Sequence, residues 1–275
     1  MSVTNPKIMD EIVFINGEFK PAGEASLLVT DLAILRGYGI FDFFRAIDGK
    51  PIFIEDHLDR FEKSMAGLHL ETEYSRGDLR SFILRLIDLN PHPLLGVKMV
   101  CTGGYSRDGY TPHGSNLFML ARPFAFHPFD KGLSLMTAEH RRELHEVKTI
   151  NYLTPVSLLP KMKEAGADDV LYHKDDRVSE SSRSNVFMIK NGTLITPDSD
   201  MLLGVTRKRI LSFAREILPV EVRPVLLQEL LSADEVFLTA STKRISPVTR
   251  IDRTSFAIGP YTRKLYDRLV TEEQW

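Results

Sequence analysis

The run Glu146-Val147-Lys148-Thr149-Ile150-Asn151-Tyr152 sets a lysine between branched apolar neighbours. Burial disfavours an ammonium and lowers its pKa, which makes a lysine usable as a Schiff-base nucleophile and as a proton carrier. A lysine in such a setting can also snorkel its charge to solvent, so its meaning depends on the rest of the chain. Downstream, Val178-Ser179-Glu180-Ser181-Ser182-Arg183-Ser184-Asn185-Val186-Phe187 places one carboxylate among small hydroxyl residues, just before a strand. A ring cofactor with a basic nitrogen needs such a carboxylate, which keeps the nitrogen protonated and the ring a good electron sink. Leu202-Leu203-Gly204-Val205-Thr206-Arg207 then opens a helix. Its unpaired N–H groups and positive dipole end suit a phosphate, with the Thr206 hydroxyl beside it. Finally, Thr239-Ala240-Ser241-Thr242 ends a strand with hydroxyls and N–H groups that could complete a phosphate cup.

Around these segments the chain has ordinary globular composition: 275 residues, 43% hydrophobic and 26% charged. The length suits one large or two modest domains. A formal net charge of -2 leaves no electrostatic footprint for nucleic acid or an anionic membrane. The N-terminal residues do not read as a signal peptide, and no apolar run approaches the ~18 residues of a membrane span. A single cysteine excludes an intramolecular disulfide and a multi-cysteine zinc site, so a reducing, cytoplasmic setting is expected.

Patterning predicts strands at Ile12–Ile15, Phe41–Ile47, Val97–Thr102, Leu117–Ala121, Leu133–Ala138, Asp169–His173, Asn185–Lys190, Thr193–Thr196 and Glu235–Thr239. Asn16-Gly17, Asp48-Gly49 and Asn191-Gly192 read as tight turns. The second turn leads into Pro51–Ile54 as a return strand. Helices are expected over Asp56–Leu68, with Asp56 as N-cap, and over Leu79–Asp88. Further helices are expected over Val156–Ala165, capped by Thr154-Pro155, kinked at Pro160 and ended by Gly166, and over Arg207–Ile217. Strands and helices come in mixed clusters, which argues an α+β, two-lobed chain with mainly antiparallel sheets and flanking helices. The expected division is 1–122 as an N-terminal lobe, 123–132 as a linker, and 133–275 as a C-terminal lobe carrying Lys148.

Taken together, this order of elements resembles the fold-type IV pyridoxal-phosphate enzymes, the class IV aminotransferases. That family includes branched-chain and D-amino acid aminotransferases and aminodeoxychorismate lyases. In the N-terminal half the resemblance rests on Asp31, on Arg36-Gly37-Tyr38-Gly39-Ile40-Phe41 and on His57-Leu58-Asp59-Arg60-Phe61. The last looks like the family's H-x-x-R-L, with Phe61 replacing leucine. The resemblance implies an arginine fork on the cofactor phosphate at Arg60. It implies a Schiff-base lysine at Lys148, the acidic partner of the pyridine nitrogen at Glu180, and the family's N-[VIL]-F at Asn185-Val186-Phe187, with Ser184 beside it. It further implies Leu202 on the ring face, phosphate contacts at Val205, Thr206, Ser241 and Thr242, and a tyrosine near the cofactor at Tyr152. The implied activity is amino transfer between an amino acid and a 2-keto acid through an aldimine on Lys148, in a homodimer.

Departures from the family pattern bear on substrate. Ser181 follows Glu180 where Gly, Ala or Cys is usual. Arg183-Ser184-Asn185 is not the G-E-N of branched-chain enzymes. Gly103 stands where D-amino acid enzymes carry a carboxylate-binding arginine, although Arg107 lies nearby. Asp42, Phe43 and Phe44 occupy a run in which lyases carry a threonine. Phe41, Phe43 and Arg45 alternate along one strand and share a face, so an apolar pocket with Arg45 or Arg107 on the substrate carboxylate is expected. The alternatives are an aminodeoxychorismate-type lyase and a degenerate member that only binds a ligand. His140 and His145 are not spaced as a helical zinc pair, so their segment reads as surface and no metal is expected. Lys243-Arg244 reads as a basic surface turn.

Overall fold

The computed structural model describes residues 11–274. They form two compact units. The first takes in the chain up to Ala125 together with Val147–Asn151; the second is Phe126–Glu146 and the chain from Tyr152 onward. The division falls between Ala125 and Phe126, and the segment that carries Lys148 groups with the first unit. Backbone pairing is the reason. Phe41 N donates to Lys148 O at 2.9 Å, Ile150 N donates to Gly39 O at 3.0 Å, and Ile40 and Thr149 form a bridge.

The first unit is built on a six-stranded antiparallel sheet of order β2-β1-β6-β5-β3-β4. Its strands are β1 (Ile12–Ile15), β2 (Glu18–Pro21), β3 (Gly39–Ile47), β4 (Lys50–Pro51), β5 (Leu94–Thr102) and β6 (Asn116–Pro123). Both residues of Asn16-Gly17 and of Asp48-Gly49 have positive φ, as the expected two-residue hairpins require. Helices α2 (Ile54–Gly67) and α3 (Arg76–Leu89) cover one face of the sheet, after the short α1 (Leu32–Arg36). Phe14, Phe44, Leu58, Phe61, Ile83 and Met99 are fully buried there. Helix α3 begins with a reciprocal capping box between Ser75 and Asp78. The expected return strand Pro51–Ile54 is cut short and Asp56 is not the N-cap. Phe53 takes a left-handed conformation (φ 55°) and turns the chain into α2 two residues earlier.

The second unit holds a nine-stranded sheet of order β12-β11-β10-β13-β14-β7-β8-β9, with β15 on β14. Its strands are β7 (Leu133–Glu139), β8 (Asp169–Lys174), β9 (Arg177–Ser181), β10 (Asn185–Lys190), β11 (Thr193–Thr196), β12 (Val220–Val222), β13 (Glu235–Ala240), β14 (Arg244–Ile251) and β15 (Thr254–Ser255). A further β9–β10 pairing closes β10, β13, β14, β7, β8 and β9 into a ring. Leu135, Leu171, Val186, Leu238 and Val248 from these strands share one apolar cluster. Parallel pairing occurs at β11–β12, β14–β7 and β7–β8; the remaining pairs are antiparallel. Helices α4 (Leu153–Ser157), α5 (Leu159–Ala165), α6 (Val205–Phe213), α7 (Leu227–Leu231) and α8 (Pro260–Glu272) flank the sheet. Thr154-Pro155 lies inside α4 rather than at a cap. The expected kink is a break at Leu158, and Pro160 sits in the first turn of α5, where no N–H is missed.

Candidate active site

On β3, alternate residues face opposite sides of the sheet. Ile40, Phe44 and Ala46 face the helices, and Asp42 lies on their side, fully buried. Arg60, on α2, donates to Asp42 from Nε and Nη2 at 2.8 Å each, a parallel fork on the two carboxylate oxygens. His57, one turn earlier, lies with Nδ1 2.7 Å from Asp42 Oδ1. Burial alone would raise the Asp42 carboxyl, but the charges of Arg60 and His57 outweigh it and hold it well below the usual range. Burial keeps His57 below its ordinary value despite the adjoining carboxylate. Asp42 therefore fixes the guanidinium that the sequence singled out, a role the sequence reading did not give it.

Phe41, Phe43 and Arg45 lie on the other face, as the alternation predicts. Lys148 Nζ stands 4.5 Å from the centroid of the Phe41 ring, and Lys148 N donates to Ser64 Oγ at 3.2 Å. Phe43 packs edge-on to Phe124 and over Gly96, where a Cβ would come within 2.6 Å of the ring. Arg45 is 2% exposed. Arg107 is exposed on the β5–β6 loop, next to Asp108. The Asp108 carboxylate ties that loop by accepting from Ser106, Tyr110 and Thr111.

In the second unit a β-bulge sets Glu180. Leu171 pairs with Ser181 and His173 with Val178, so Ser179 and Glu180 together oppose Tyr172. Glu180 is buried. Its Oε1 accepts from Arg142 Nε at 2.7 Å and its Oε2 from Leu202 N at 3.2 Å. Arg142 Nη2 also donates to His145 O at 2.7 Å. Arg142 belongs to the segment expected to be mere surface. It is half-buried, and no local pattern marks it apart from neighbouring Arg141.

Asn185 pairs across the sheet with Thr239, donates from Nδ2 to Leu202 O at 2.7 Å, and packs on Gly204 so closely that a Cβ there would lie 2.1 Å from Oδ1. This seats the start of α6 at the same end of the sheet as Ser241 and Thr242. No side chain caps α6, and Val205 and Thr206 are buried in its first turn. Tyr152 is half-buried at the N-cap of α4. The Tyr172 and Thr239 hydroxyls are buried without a hydrogen-bond partner among the described residues. Burial, then the charges of Asp169 and Glu180, pushes the Tyr172 phenol well up, so it stays a donor.

The Lys243-Arg244 turn is not simply surface. Lys243 Nζ lies 3.0 Å from both Asp169 Oδ2 and Ser184 Oγ, and Asp169 also accepts from Ser182. Arg244 pairs with the buried Glu273 at 2.7 Å and covers the Phe126 ring. These ion pairs fasten the turn that holds Ser241 and Thr242 to the Ser182–Ser184 turn. Nothing local in the sequence brings Asp169 and Lys243 together.

Comparison with known proteins places this geometry. A sequence model of the family Amino-transferase class IV matches residues 39–251. The chain belongs to the class IV aminotransferases. It is 30% identical over 271 residues to a D-alanine aminotransferase of Bacillus licheniformis, covering 94% of this chain and 95% of that one. It is 29% identical over 272 residues to a putative branched-chain-amino-acid aminotransferase of Methanocaldococcus jannaschii, at 93% and 94% coverage. Among solved structures it resembles the branched-chain aminotransferase of the thermophilic archaeon Thermoproteus uzoniensis with norvaline. The TM-score is 0.88 and the identity 23%, over 94% of this chain and 93% of that one. The α+β, fold-type IV architecture expected from the sequence is the one observed, and the chain is a transaminase.

Proposed function

We propose that this transaminase uses pyridoxal 5′-phosphate to move an amino group between an amino acid and a 2-keto acid, with Lys148 as the catalytic residue. The observation that carries the reading is Glu180. It is a buried carboxylate on a bulged strand, with one oxygen on Arg142 and the other on the amide of Leu202. The residues present also fit the cofactor's other groups. The uncapped first turn of α6, with Thr206 and the nearby Ser241 and Thr242, offers N–H and hydroxyl donors to a phosphate. The buried, unpartnered Tyr172 and Thr239 hydroxyls are donors awaiting an acceptor.

Bound pyridoxal phosphate would supply an electron sink for the negative charge that develops at the substrate Cα. Glu180 would pair with a ring nitrogen of the bound cofactor, and Arg142 aims its carboxylate. Leu202, fixed by Asn185 and Glu180, offers an apolar side chain to a ring face. Val205, Thr206, Ser241 and Thr242 hold a phosphate, with Ser184 fastening their turn and Tyr152 close to the ring. Arg60 is assigned to a phosphate oxygen, its fork already aligned by Asp42. Lys148 Nζ anchors the cofactor, then takes and returns the substrate Cα proton. Phe41 and Phe43 supply an apolar substrate wall, with Arg45 and Arg107 as candidate carboxylate partners.

Two further readings complete the proposal. Leu28, Val29 and Ile34, exposed by 60%, 76% and 59% and close in sequence in the first unit, are apolar side chains that suit a homodimer contact. A cytoplasmic setting fits the single, buried thiol of Cys101. No helix among the described residues is long and apolar enough to cross a membrane.

The test is a half-reaction. Holoenzyme is mixed with one amino acid at a time and no acceptor, D-alanine and the L-branched-chain amino acids first, while the cofactor absorbance is followed. The expected result is conversion of the band with one donor and its return on adding a 2-keto acid. Loss of ammonia or pyruvate without need of an acceptor would instead indicate a lyase.

A further inference from the structure

Helix α6 opens against the usual electrostatic rule. The positive end of a helix dipole favours acidic side chains in the first turn. Here the first turn holds no acid, and Val205-Thr206 run directly into Arg207-Lys208-Arg209. Arg207, three residues after the Gly204 N-cap, is 7% exposed. A buried cation at the positive end of a dipole is disfavoured twice, by lost hydration and by the dipole itself.

The surroundings offset little of that cost. Arg207 Nη2 donates to Pro197 O at 2.9 Å, and Nε is buried without a hydrogen-bond partner among the described residues. Asp198 attracts the guanidinium, but burial outweighs that attraction and lowers its pKa. The carbonyl of Pro197, just beyond β11, needs only a neutral donor, so tying β11 to α6 does not account for a full charge here. Local rules broken together in this way mark a functional site. The same first turn carries the buried Thr206, and Asn185 seats its start through Leu202 O.

We propose that Arg207 is a positioning residue for the cofactor phosphate: its charge, added to the α6 dipole, holds that group as a dianion and makes the site select the phosphorylated cofactor over the unphosphorylated one. The proposal rests on the reading of this protein as a pyridoxal phosphate enzyme. Val205 and Thr206 supply the contacts, and Arg207 supplies a field that acts through the protein interior without contact.

The full chain, freed of cofactor, is titrated with pyridoxal phosphate and with pyridoxal, as wild type, Arg207→Lys, Arg207→Gln and Arg207→Met. Absorbance reads the binding of both aldehydes. Lysine keeps the charge, glutamine keeps a neutral donor for Pro197 O, and methionine keeps neither. Loss of one charge beside a dianion predicts a Kd for pyridoxal phosphate raised about tenfold or more in both neutral variants, and within about threefold of wild type in Arg207→Lys. Pyridoxal should bind all four proteins within about threefold, which also shows that each variant is folded. Arg207→Gln binding pyridoxal phosphate as tightly as wild type overturns the proposal and leaves Arg207 a tie between β11 and α6. Equal weakening of both aldehydes overturns it too, because that reports a distorted site. Should Arg207→Met fold poorly, the glutamine and lysine variants decide alone. The two readings fail separately: a wild type that takes up neither aldehyde removes the cofactor reading, whereas uptake of pyridoxal phosphate indifferent to the substitutions removes only the Arg207 role.

Discussion

Both units bury carboxylates, and they hold them by different means. In the first, Asp42 is gripped by a guanidinium fork and an imidazole, all three groups fixed on α2 and β3. In the second, Asp169 is held by one flexible ammonium and by serine hydroxyls at turn ends, and Glu180 by Arg142 and a backbone amide. The first arrangement is rigid because its donors sit on regular elements. The second fastens loops to one another, so its ion pairs decide the shape of the turns that carry the candidate phosphate donors. The comparison predicts that breaking the first cluster costs mainly fold stability, besides loosening the Arg60 fork, whereas breaking the second mainly alters ligand binding.

The largest effect is expected at Asp42. Asp42→Ala strands the Arg60 and His57 side chains in a buried setting and should lower stability by roughly 3–5 kcal/mol, read by denaturant unfolding. Lys243→Met should cost about 2–4 kcal/mol by leaving Asp169 buried and unpaired, and the neutral double variant Asp169→Asn/Lys243→Met should recover most of that loss. If the turns matter as argued, the double variant still binds pyridoxal phosphate more weakly relative to pyridoxal, because Ser241 and Thr242 are no longer clamped. Full recovery of both quantities would leave Lys243 a stabilising residue only. Arg142→Met should reduce turnover by roughly tenfold or more and also cost about 1–3 kcal/mol of stability, because the buried Glu180 loses its guanidinium and keeps the Leu202 amide.

The smallest effect concerns pH. His57 has a depressed folded pKa, so below its unfolded value near 6.5 the unfolded chain binds more protons than the native one, and stability falls as pH falls. The slope is at most about 1.4 kcal/mol per pH unit. Asp42 is likewise depressed, and its contribution, present above about pH 4, is lost at lower pH. His57→Gln should flatten unfolding free energy just below about pH 6.5 without touching the loss below about pH 4. A wild-type slope in that variant would remove His57 from the account.

The same difference explains what could be read from sequence. Hairpins at Asn16-Gly17 and Asn191-Gly192 and the stripe of α2 are local, and their patterns stand in the chain itself. Strand β9 was not legible because the bulge at Ser179 and Glu180 breaks its alternation and its residues are mostly polar. Strand β14 passes through Pro247, which argues against a strand until its partners are known. Lys148, Glu180 and Arg60 are singled out by motif resemblance. Their supports are not: Asp42, Arg142 and Lys243 lie 18, 38 and 74 residues from Arg60, Glu180 and Asp169. Side chains that far apart meet only through tertiary packing. Phe41 and Phe43 share one face by simple alternation.

The central claim is that Lys148 is the residue that holds the cofactor. Its most direct test is borohydride reduction of the purified protein loaded with pyridoxal phosphate, followed by peptide mapping. The account predicts a reduced pyridoxyl group on the peptide containing Lys148 and loss of that label in Lys148→Ala, with turnover down by about a thousandfold or more. A label on Lys243 or any other lysine instead, or a protein that takes up no pyridoxal phosphate, would contradict it.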